Sequence, residues 1–437
     1  MKRFLLLMLA MVLSSTHAAL PIQSWTLSNG ARVLFVENHS IPIIDLSIEF
    51  DAGSRRDPQG KSGVASLTGG MLARGLKVVA KEPALSEAQI SDAFADTAAQ
   101  LGGSASSDRA GASLRTLSSQ QESQAAILLL ARILAQPSFP EAVLAREKTR
   151  SIAAIREAET KPDAIAGKAF FWALYGAHPY ANKPTAESVQ SIVRDDLLSF
   201  HRTHYVADRA VIAIVGDVTK EQADAIAQQL TVRLSTGKSA ALPPMAEVVP
   251  VKAAEIRIAH PASQSHILIG MPSLVRSDPD YFALTVGNYI LGGGGFVSRL
   301  MHEVREKRGL TYGITSSFNP KLQKGPFQIG LQTQKSQTDE ALKITRETLA
   351  AFLRDGPTDA ELKAAKDNLI GGFGLRIDNN RKILDSTALI GYYGLPLDYL
   401  DTWTANIEKV SKEEIRAAFQ RKIALDQMTT VIVGAPE

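Results

Sequence analysis

Arg305 and Tyr312 are the pair whose residue types and spacing most favour chemistry in this chain. Apolar residues three and four positions apart predict a helix over residues 296–307, which places Arg305 near its end. Gly309 then supplies a left-handed stop, and Tyr312 enters an alternating strand. This fold-back would bring a cation and a phenol to one surface. From spacing alone, a surface cation and a packed strand tyrosine are the favoured alternative.

The histidines and serines offer no competing site. His201 and His204 fit one helix face, but no carboxylate accompanies them at metal-site spacing, so structural roles are expected. His302 precedes Glu303 without a second histidine at helical spacing. The serines lie in no G-x-S-x-G elbow. Cysteine is absent, so no thiol acts as nucleophile or metal ligand.

Length and composition are those of a soluble globular protein. The chain has 437 residues, 45% of them apolar and 21% charged, enough for two or three domains. A net charge of +3 favours neither a nucleic-acid nor a membrane-surface partner. No apolar run after the N-terminal segment is long enough to predict a membrane span.

Residues 1–18 have the pattern of a secretory signal peptide. Lys2 and Arg3 precede an apolar segment at 4–13, and small residues at 14–18 favour cleavage after Ala18. An uncleaved anchor is the alternative. Export without cysteine requires no disulfide framework, and we expect a periplasmic location if the source is Gram-negative.

Two similar halves follow this segment. Strands are predicted at 31–37 and 43–50, a long helical region follows, and "AVIAIVGDV" from Ala210 closes the first half. The second half repeats this order and ends in "TTVIVGAP" from Thr429. A Pro-, Ala- and Ser-rich stretch separates them. We therefore predict an N-terminal domain at 19–234, a linker at 235–251 and a C-terminal domain at 252–437.

The order of elements indicates the fold class. Helices and strands mix without strict β-α-β alternation, which is typical of an α+β protein. We predict two homologous α/β-sandwich domains. Each would have a mixed, largely antiparallel sheet with helices on one face.

The chain resembles the pitrilysin/insulinase superfamily of inverted-motif zinc metallopeptidases, over residues 25–433. Within it, the resemblance is to the small two-domain subunits that work in pairs, as in mitochondrial processing peptidase. The stretch from Asn29 to Leu67, "NGARVLFVENHSIPIIDLSIEFDAGSRRDPQGKSGVASL", matches the family's lead-in to its metal helix. The stretch from Leu291 to Phe318, "LGGGGFVSRLMHEVREKRGLTYGITSSF", matches the signature R-x6-Y of its C-terminal domain.

The resemblance also implies that the metal site is lost. The histidines and catalytic glutamate of H-x-x-E-H fall on Ser66, Gly70 and Gly69, and none of these can bind zinc or act as a base. The third ligand falls on Ala154, in "REKTRSIAAIREAE". Glu147, two turns earlier, is expected to be a surface acid. Gly69 and Gly70 either permit close backbone approach or leave room in a shared chamber, and both interpretations stay open.

The second half retains the functional pair. The resemblance implies that Arg305 and Tyr312 would reach a zinc site and donate hydrogen bonds to the carbonyl of the scissile peptide bond. Such donors stabilise the oxyanion that forms there. Gly292, Gly293, Gly294 and Gly295 match a mobile loop that helps to bind substrate. The alternative is a helix-entry loop that needs unusual dihedral angles. No Gly-Lys-Ser/Thr follows, so this is not a phosphate-binding loop.

The leading hypothesis is a non-catalytic subunit of an exported heterodimeric zinc peptidase, a pseudoenzyme that is inactive alone. The chain would bind no cofactor, and zinc is expected in a homologous partner with intact H-x-x-E-H. Peptides or unfolded polypeptides would be the substrates, held between the two chains. The rival hypothesis is a non-enzymatic scaffold or peptide-binding protein of the same fold. A peptidase with a relocated site is a third, weaker hypothesis.

Overall fold

The structure is a computed structural model that describes residues 21–235, 242, 244–249 and 252–435. The predicted signal peptide at residues 1–18 lies outside the described residues, as does part of the predicted linker. The domain boundaries therefore stay predictions.

The strands are distributed over both halves of the chain. In chain order they are β1 (Gln23–Thr26), β2 (Arg32–Glu37), β3 (Ile43–Phe50), β4 (Gly75–Leu76), β5 (Leu85–Ser86), β6 (Gln100–Ala105), β7 (Ala110–Leu117), β8 (Val211–Gly216), β9 (Glu255–Ala259), β10 (Gln264–Leu274), β11 (Ile314–Phe318), β12 (Gly325–Gln334) and β13 (Thr429–Ala435).

The α-helices occupy the intervening segments. In chain order they are α1 (Val64–Met71), α2 (Glu87–Asp96), α3 (Gln120–Ala135), α4 (Glu141–Ala158), α5 (Pro162–Tyr175), α6 (Ala186–Ser191), α7 (Arg194–His204), α8 (Lys220–Thr231), α9 (Tyr281–Asn288), α10 (Thr338–Asp355), α11 (Asp359–Gly371), α12 (Asn380–Tyr393), α13 (Tyr399–Lys409) and α14 (Lys412–Lys422). Two π-helical segments, Tyr289–Gly293 and Met301–Glu306, follow α9.

The fold class predicted from the sequence is confirmed. The first sheet has the order β1-β2-β8-β3-β7-β6 and the second the order β11-β12-β10-β13-β9. Each sheet is antiparallel except for one parallel pair, β2 with β8 and β9 with β13. In both halves the closing strand thus returns parallel to an early strand, which is the arrangement expected of a duplicated unit.

The ends of the two closing strands share a second feature. Gly216 ends β8 with φ +146°, and Gly434 lies near the end of β13 with φ +102°. A Cβ at either position would collide with a carbonyl oxygen of the neighbouring strand. The duplicated "VG" pairs in the sequence therefore mark equivalent close contacts between strands.

Each half of the chain contributes one helix that packs on the sheet of the other half. Helix α12 of the second half packs on β2, β3 and β8 of the first sheet, and α5 of the first half packs on β10 and β13 of the second. In addition to helices from its own half, each sheet is therefore covered by one helix of the other half, an arrangement that the sequence did not predict.

Strand β8 shows why both layers are needed. Its residues Val211, Ala213 and Val215 join the core that contains α12, whereas Ile212 and Ile214 face the core of the first half. A strand buried on both faces must be apolar at every position, and this explains the uninterrupted run "VIAIVG".

Asp108 lies at the junction between the halves. It is 1% exposed, and its carboxylate accepts hydrogen bonds from the hydroxyl of Tyr180 at 2.6 Å and that of Tyr393 at 3.0 Å. The same carboxylate accepts the Leu322 amide, and its backbone carbonyl accepts the Tyr392 hydroxyl at 2.6 Å. Because Tyr392, Tyr393 and Leu322 belong to the second half, one buried carboxylate connects the two.

Cations compensate the charge at this junction. Arg55 Nε lies 3.5 Å from the Asp108 carboxylate, and Lys321 donates to Ser107 Oγ at 2.7 Å. Burial and Asp108 raise the pKa of the Tyr180 phenol, which keeps its proton for the hydrogen bond to Asp108.

Among the described residues, no helix combines the length and apolar character needed to cross a membrane.

Candidate functional site

Helix α1 carries the positions that correspond to the lost zinc motif. Asp57 caps it by accepting the amides of Gly63 at 2.8 Å and Ala65 at 2.7 Å. Burial raises the pKa of this carboxyl to about 6. Ser66 and Gly70 are exposed on the helix surface, and Gly69 is half-buried. The α1 helix is thus formed and capped although its side chains offer no zinc ligand.

The two glycines have no packing role that the described residues reveal. A Cβ at Gly70 would meet no atom within 4 Å, and one at Gly69 would lie 3.6 Å from the Tyr205 hydroxyl. Close backbone approach within this chain therefore does not explain them. Open space on this face is compatible with the alternative of a chamber shared with another chain.

Alanine substitution of these glycines is expected to stabilise the isolated chain. Gly69→Ala and Gly70→Ala should each raise the free energy of unfolding by about 0.5–1 kcal/mol, because alanine loses less backbone entropy in a helix. Chemical denaturation measures the change. In the control Gly292→Ala, the new Cβ would approach Ser316 Oγ at 2.5 Å, and stability should fall. A loss of stability in Gly70→Ala would contradict the open geometry.

The position of the third zinc ligand is also inert. Ala154 is exposed on α4. Glu147, on the same helix, pairs with Arg146 at 2.9 Å and Arg150 at 3.4 Å, and its side chain is only 14% exposed. It is therefore an ion-paired acid rather than the surface acid expected. Within residues 21–235, 242, 244–249 and 252–435, no three side chains of the metal-binding types cluster as a metal site.

His201 and His204 have the structural roles expected from the sequence. His201 Nε2 lies 2.7 Å from the Leu134 carbonyl oxygen, and His204 Nδ1 lies 2.9 Å from that of Asp51. Each imidazole donates to a carbonyl and packs on an aromatic ring. Burial lowers the pKa of both side chains to about 4, so both are neutral at pH 7.

These two histidines should make the fold sensitive to acid. The unfolded chain takes up protons near pH 6.5, whereas the native histidines resist protonation until about pH 4. The free energy of unfolding should therefore fall as the pH drops through this window, by up to about 3 kcal/mol for each histidine. The double variant His201→Gln/His204→Asn keeps similarly placed N–H donors and should lose less stability between pH 7 and 4.5. Chemical denaturation at pH 7 and at pH 4.5 measures the change. If the wild type and the double variant lost the same unfolding free energy between these pH values, the assignment would be wrong.

The segment after α9 positions Arg305. The predicted helix over 296–307 begins later in the structure, after a 3₁₀ turn at Gly295–Val297, and becomes π-helical over Met301–Glu306. Gly309 has φ +63°; its amide donates to the Arg305 carbonyl, while the Leu310 amide donates to that of Val304. The bond from the Gly309 amide to the Arg305 carbonyl is the 5→1 bond of an αL C-cap motif, and the positive φ of Gly309 confirms the predicted left-handed stop. The sequence offered no signal for the π-helical segments, which are frequent at functional sites.

Arg305 differs from its charged neighbours in lacking an acidic partner. Glu303 pairs with Lys307 and Arg308, and Glu306 pairs with His302 at 2.9 Å. Within the described part of the chain, no carboxylate comes within 4 Å of the Arg305 guanidinium nitrogens. Its contact is instead the ring of Phe296, whose centroid lies 4.5 Å from the guanidinium carbon.

Arg299, in the same segment, shows the opposite arrangement. Its guanidinium forms two 2.6 Å hydrogen bonds to the carboxylate of Glu361 and a third to the carbonyl of Gly356 at 2.9 Å. The guanidinium holds the pKa of Glu361 at about 2 against the effect of burial. The hydrogen bonds of Arg299 thus stabilise the fold, whereas the N–H donors of Arg305 remain available for a ligand.

Tyr312 lies two residues before β11, the edge strand of the second sheet. Its side chain is 86% exposed, and it borders a cleft of about 470 Å³ that His266 and Gln332 also line. The N-terminal turn of α5 contributes Asp163 to the same cleft. Tyr312 is therefore not the packed strand tyrosine that its spacing alone favoured. Its phenol faces solvent.

The four glycines before Phe296 form a tightly packed entry to the π-helical region. Cβ atoms at Gly292, Gly293 and Gly294 would come within 2.5–2.7 Å of Ser316, Asn288 and Tyr289 atoms respectively. Gly295 has φ +63°. Packing thus explains three of these glycines and backbone conformation the fourth. Substrate binding by this loop stays a prediction.

Fold and site define a protein of two duplicated α/β sandwiches with inert residues at the zinc positions of its first half. The family profile described as peptidase M16 inactive domain matches residues 191–369. The crystal structure of a peptidase M16 inactive domain from Pseudomonas fluorescens is 37% identical, with a TM-score of 0.90 over 95% of this chain and 98% of that chain. This chain therefore belongs to the M16 peptidase family, the pitrilysin/insulinase family predicted from its sequence.

Two further relatives span nearly the whole chain. A Helicobacter pylori protein named non-peptidase homolog YmxG is 27% identical over 439 residues, 99% of each chain. The periplasmic protease PqqL from Escherichia coli has a TM-score of 0.79 at 15% identity, over 95% of this chain and 46% of that chain. At that identity, PqqL shows the fold alone. The chain is an M16 member whose first half lacks the family's catalytic motif.

Proposed function

We propose that this chain is the non-catalytic subunit of an exported heterodimeric zinc peptidase. A homologous partner with an intact H-x-x-E-H motif would bind the zinc and activate the water. This chain would donate Arg305 and Tyr312 to the carbonyl of the peptide bond under attack. Substrates would be peptides or unfolded polypeptides held between the two chains.

The observation that carries the proposal is the availability of Arg305. Glu303 and Glu306, the acids of its helical segment, pair with other side chains, so the guanidinium keeps its N–H donors for an external acceptor. Tyr312, which is exposed just before β11, presents a second donor. Donors placed where negative charge develops lower the barrier to peptide hydrolysis.

Pairing of two units explains the combination of lost and retained residues. Ser66, Gly69, Gly70 and Ala154 stand at the zinc-site positions and cannot bind the metal, whereas the R-x6-Y pair, Arg305 and Tyr312, is present and could act beside another chain's zinc. This chain covers 46% of the PqqL chain, so that chain has room for two such units. The periplasmic location rests on the residues 1–18 pattern.

The alternative is a scaffold or peptide-binding protein without enzymatic assembly. It is favoured by the name of the Helicobacter pylori relative, which describes a non-peptidase. The two functions differ in a measurable way. A scaffold binds partner or peptide without changing the rate of hydrolysis, whereas the proposed subunit is required for it.

Reconstitution tests the proposal. The purified chain is mixed with a homologous subunit of the same host that carries H-x-x-E-H, and assembly is measured by native mass spectrometry. Hydrolysis of a quenched fluorescent peptide is expected only from the mixture and should stop with a zinc chelator. A partner variant with its motif glutamate changed to glutamine controls for contaminating peptidases. Equal hydrolysis by the partner alone would overturn the proposal and leave the scaffold.

A further inference from the structure

Phe296 is an exposed aromatic residue without a role in the core. Its side chain is 64% exposed, and it belongs to none of the hydrophobic clusters of the described residues. Its close neighbour is Arg305, whose guanidinium carbon lies 4.5 Å from the ring centroid. An exposed ring in such a position gains little from hydrophobic burial, so the contact with Arg305 needs its own explanation.

The backbone around Phe296 is tightly specified. Gly295 adopts φ +63°, and Ser298, two residues after Phe296, is fully buried. Ser298 donates from its amide at 3.0 Å and from its hydroxyl at 2.7 Å to the Gly295 carbonyl oxygen. This closed turn sets the position of the ring beside the helical segment that carries Arg305.

Stacking leaves the guanidinium free to bind. The guanidinium carbon lies over the aromatic ring, and a cation–π contact of this kind uses none of the N–H groups as hydrogen-bond donors. A long arginine side chain in solvent samples many rotamers, and holding it before substrate arrives lowers the entropy lost on binding. The ring therefore provides orientation without consuming a donor.

We infer that Phe296 is a positioning residue that holds Arg305 ready for the carbonyl oxygen of a peptide bound at the partner's zinc site. This inference rests on the proposed function. Phe296 acts through Arg305 and does not itself touch the reacting atoms. The ligand class is a peptide carbonyl whose oxygen gains negative charge during attack by water.

Kinetics of the reconstituted complex test the role. Phe296→Leu keeps an apolar side chain but removes the aromatic face, and it should lower kcat about three- to thirtyfold with little change in KM. Phe296→Trp keeps the face and should retain most of the activity. Val297→Ala alters the neighbouring side chain, which is 72% exposed, and is expected to leave kcat unchanged. Wild-type kcat in Phe296→Leu would overturn the inference.

A double-mutant cycle separates this inference from the proposed function. In an Arg305→Ala background, Phe296→Leu should have no further effect on kcat; an undiminished effect would show that Phe296 acts independently of Arg305 and overturn the role. Full activity of Arg305→Ala itself would overturn the proposed function together with the positioning role.

Spectroscopy of the isolated chain tests the contact without a partner. With isotope-labelled arginine, the Arg305 side-chain signals should carry an aromatic ring-current shift that Phe296→Leu removes. Arg305→Lys assigns the signals. Identical Arg305 signals in the wild type and Phe296→Leu would disprove the stacking on which the inference depends.

Discussion

Arg305→Ala is expected to lower kcat of the reconstituted heterodimer by about 10²–10³-fold, the loss typical of removing one donor to a developing oxyanion. The free guanidinium has no acidic partner within the described residues, so its removal leaves no carboxylate unpaired. Assembly and stability should therefore be preserved, and the loss should fall on the chemical step. Steady-state kinetics on a quenched peptide, with the complex verified by native mass spectrometry, measure it.

Arg308→Ala provides the matched control. Arg308 lies in the same segment and is exposed, but it pairs with Glu303 at 2.9 Å. Exposed ion pairs contribute little, so this variant should keep wild-type kcat and stability. Full activity in Arg305→Ala would count against the donation of Arg305 to a partner site, whatever the behaviour of Arg308→Ala.

Asp108→Ala is expected to cost about 3–5 kcal/mol of unfolding free energy, the second of the large effects. The substitution removes the acceptor for two tyrosine hydroxyls and the Leu322 amide, so all three donors lose their hydrogen bond to this carboxylate. It also removes a negative charge beside Arg55, which is 4% exposed. Chemical denaturation followed by circular dichroism measures the loss.

An exposed carboxylate gives the comparison for Asp108. Asp378 pairs with Lys382 at 2.9 Å on the surface, and Asp378→Ala should cost less than about 1 kcal/mol. Because Asp108 connects the halves, its loss should also make unfolding less cooperative. A change in Asp108→Ala no larger than in Asp378→Ala would show that the junction is held by the exchanged helices alone.

Much of the fold was predictable because it depends on local pattern. The apolar run that becomes β8, its repetition as β13 and the turn residues that follow each are visible in the sequence. The stop at Gly309 was predictable for the same reason, since a left-handed helix end strongly favours glycine.

The exchange of α5 and α12 was not predictable from pattern. An amphipathic helix reveals that it has an apolar face but not which sheet that face covers. Ile383 and Leu384 of α12 pack in one core with Leu34 and Val211, far away in the sequence. The hydrogen bonds of Asp108 likewise join residues more than 200 positions apart.

The sequence by itself determined the family, the duplication and the absence of zinc ligands at Ser66, Gly69, Gly70 and Ala154, because these follow from residue type and order. Only the tertiary structure decided that Gly70 faces open space, that Arg305 stacks on Phe296 and that Asp108 joins the halves. Those properties depend on distances between groups, and a linear pattern carries no such distances until the chain is packed.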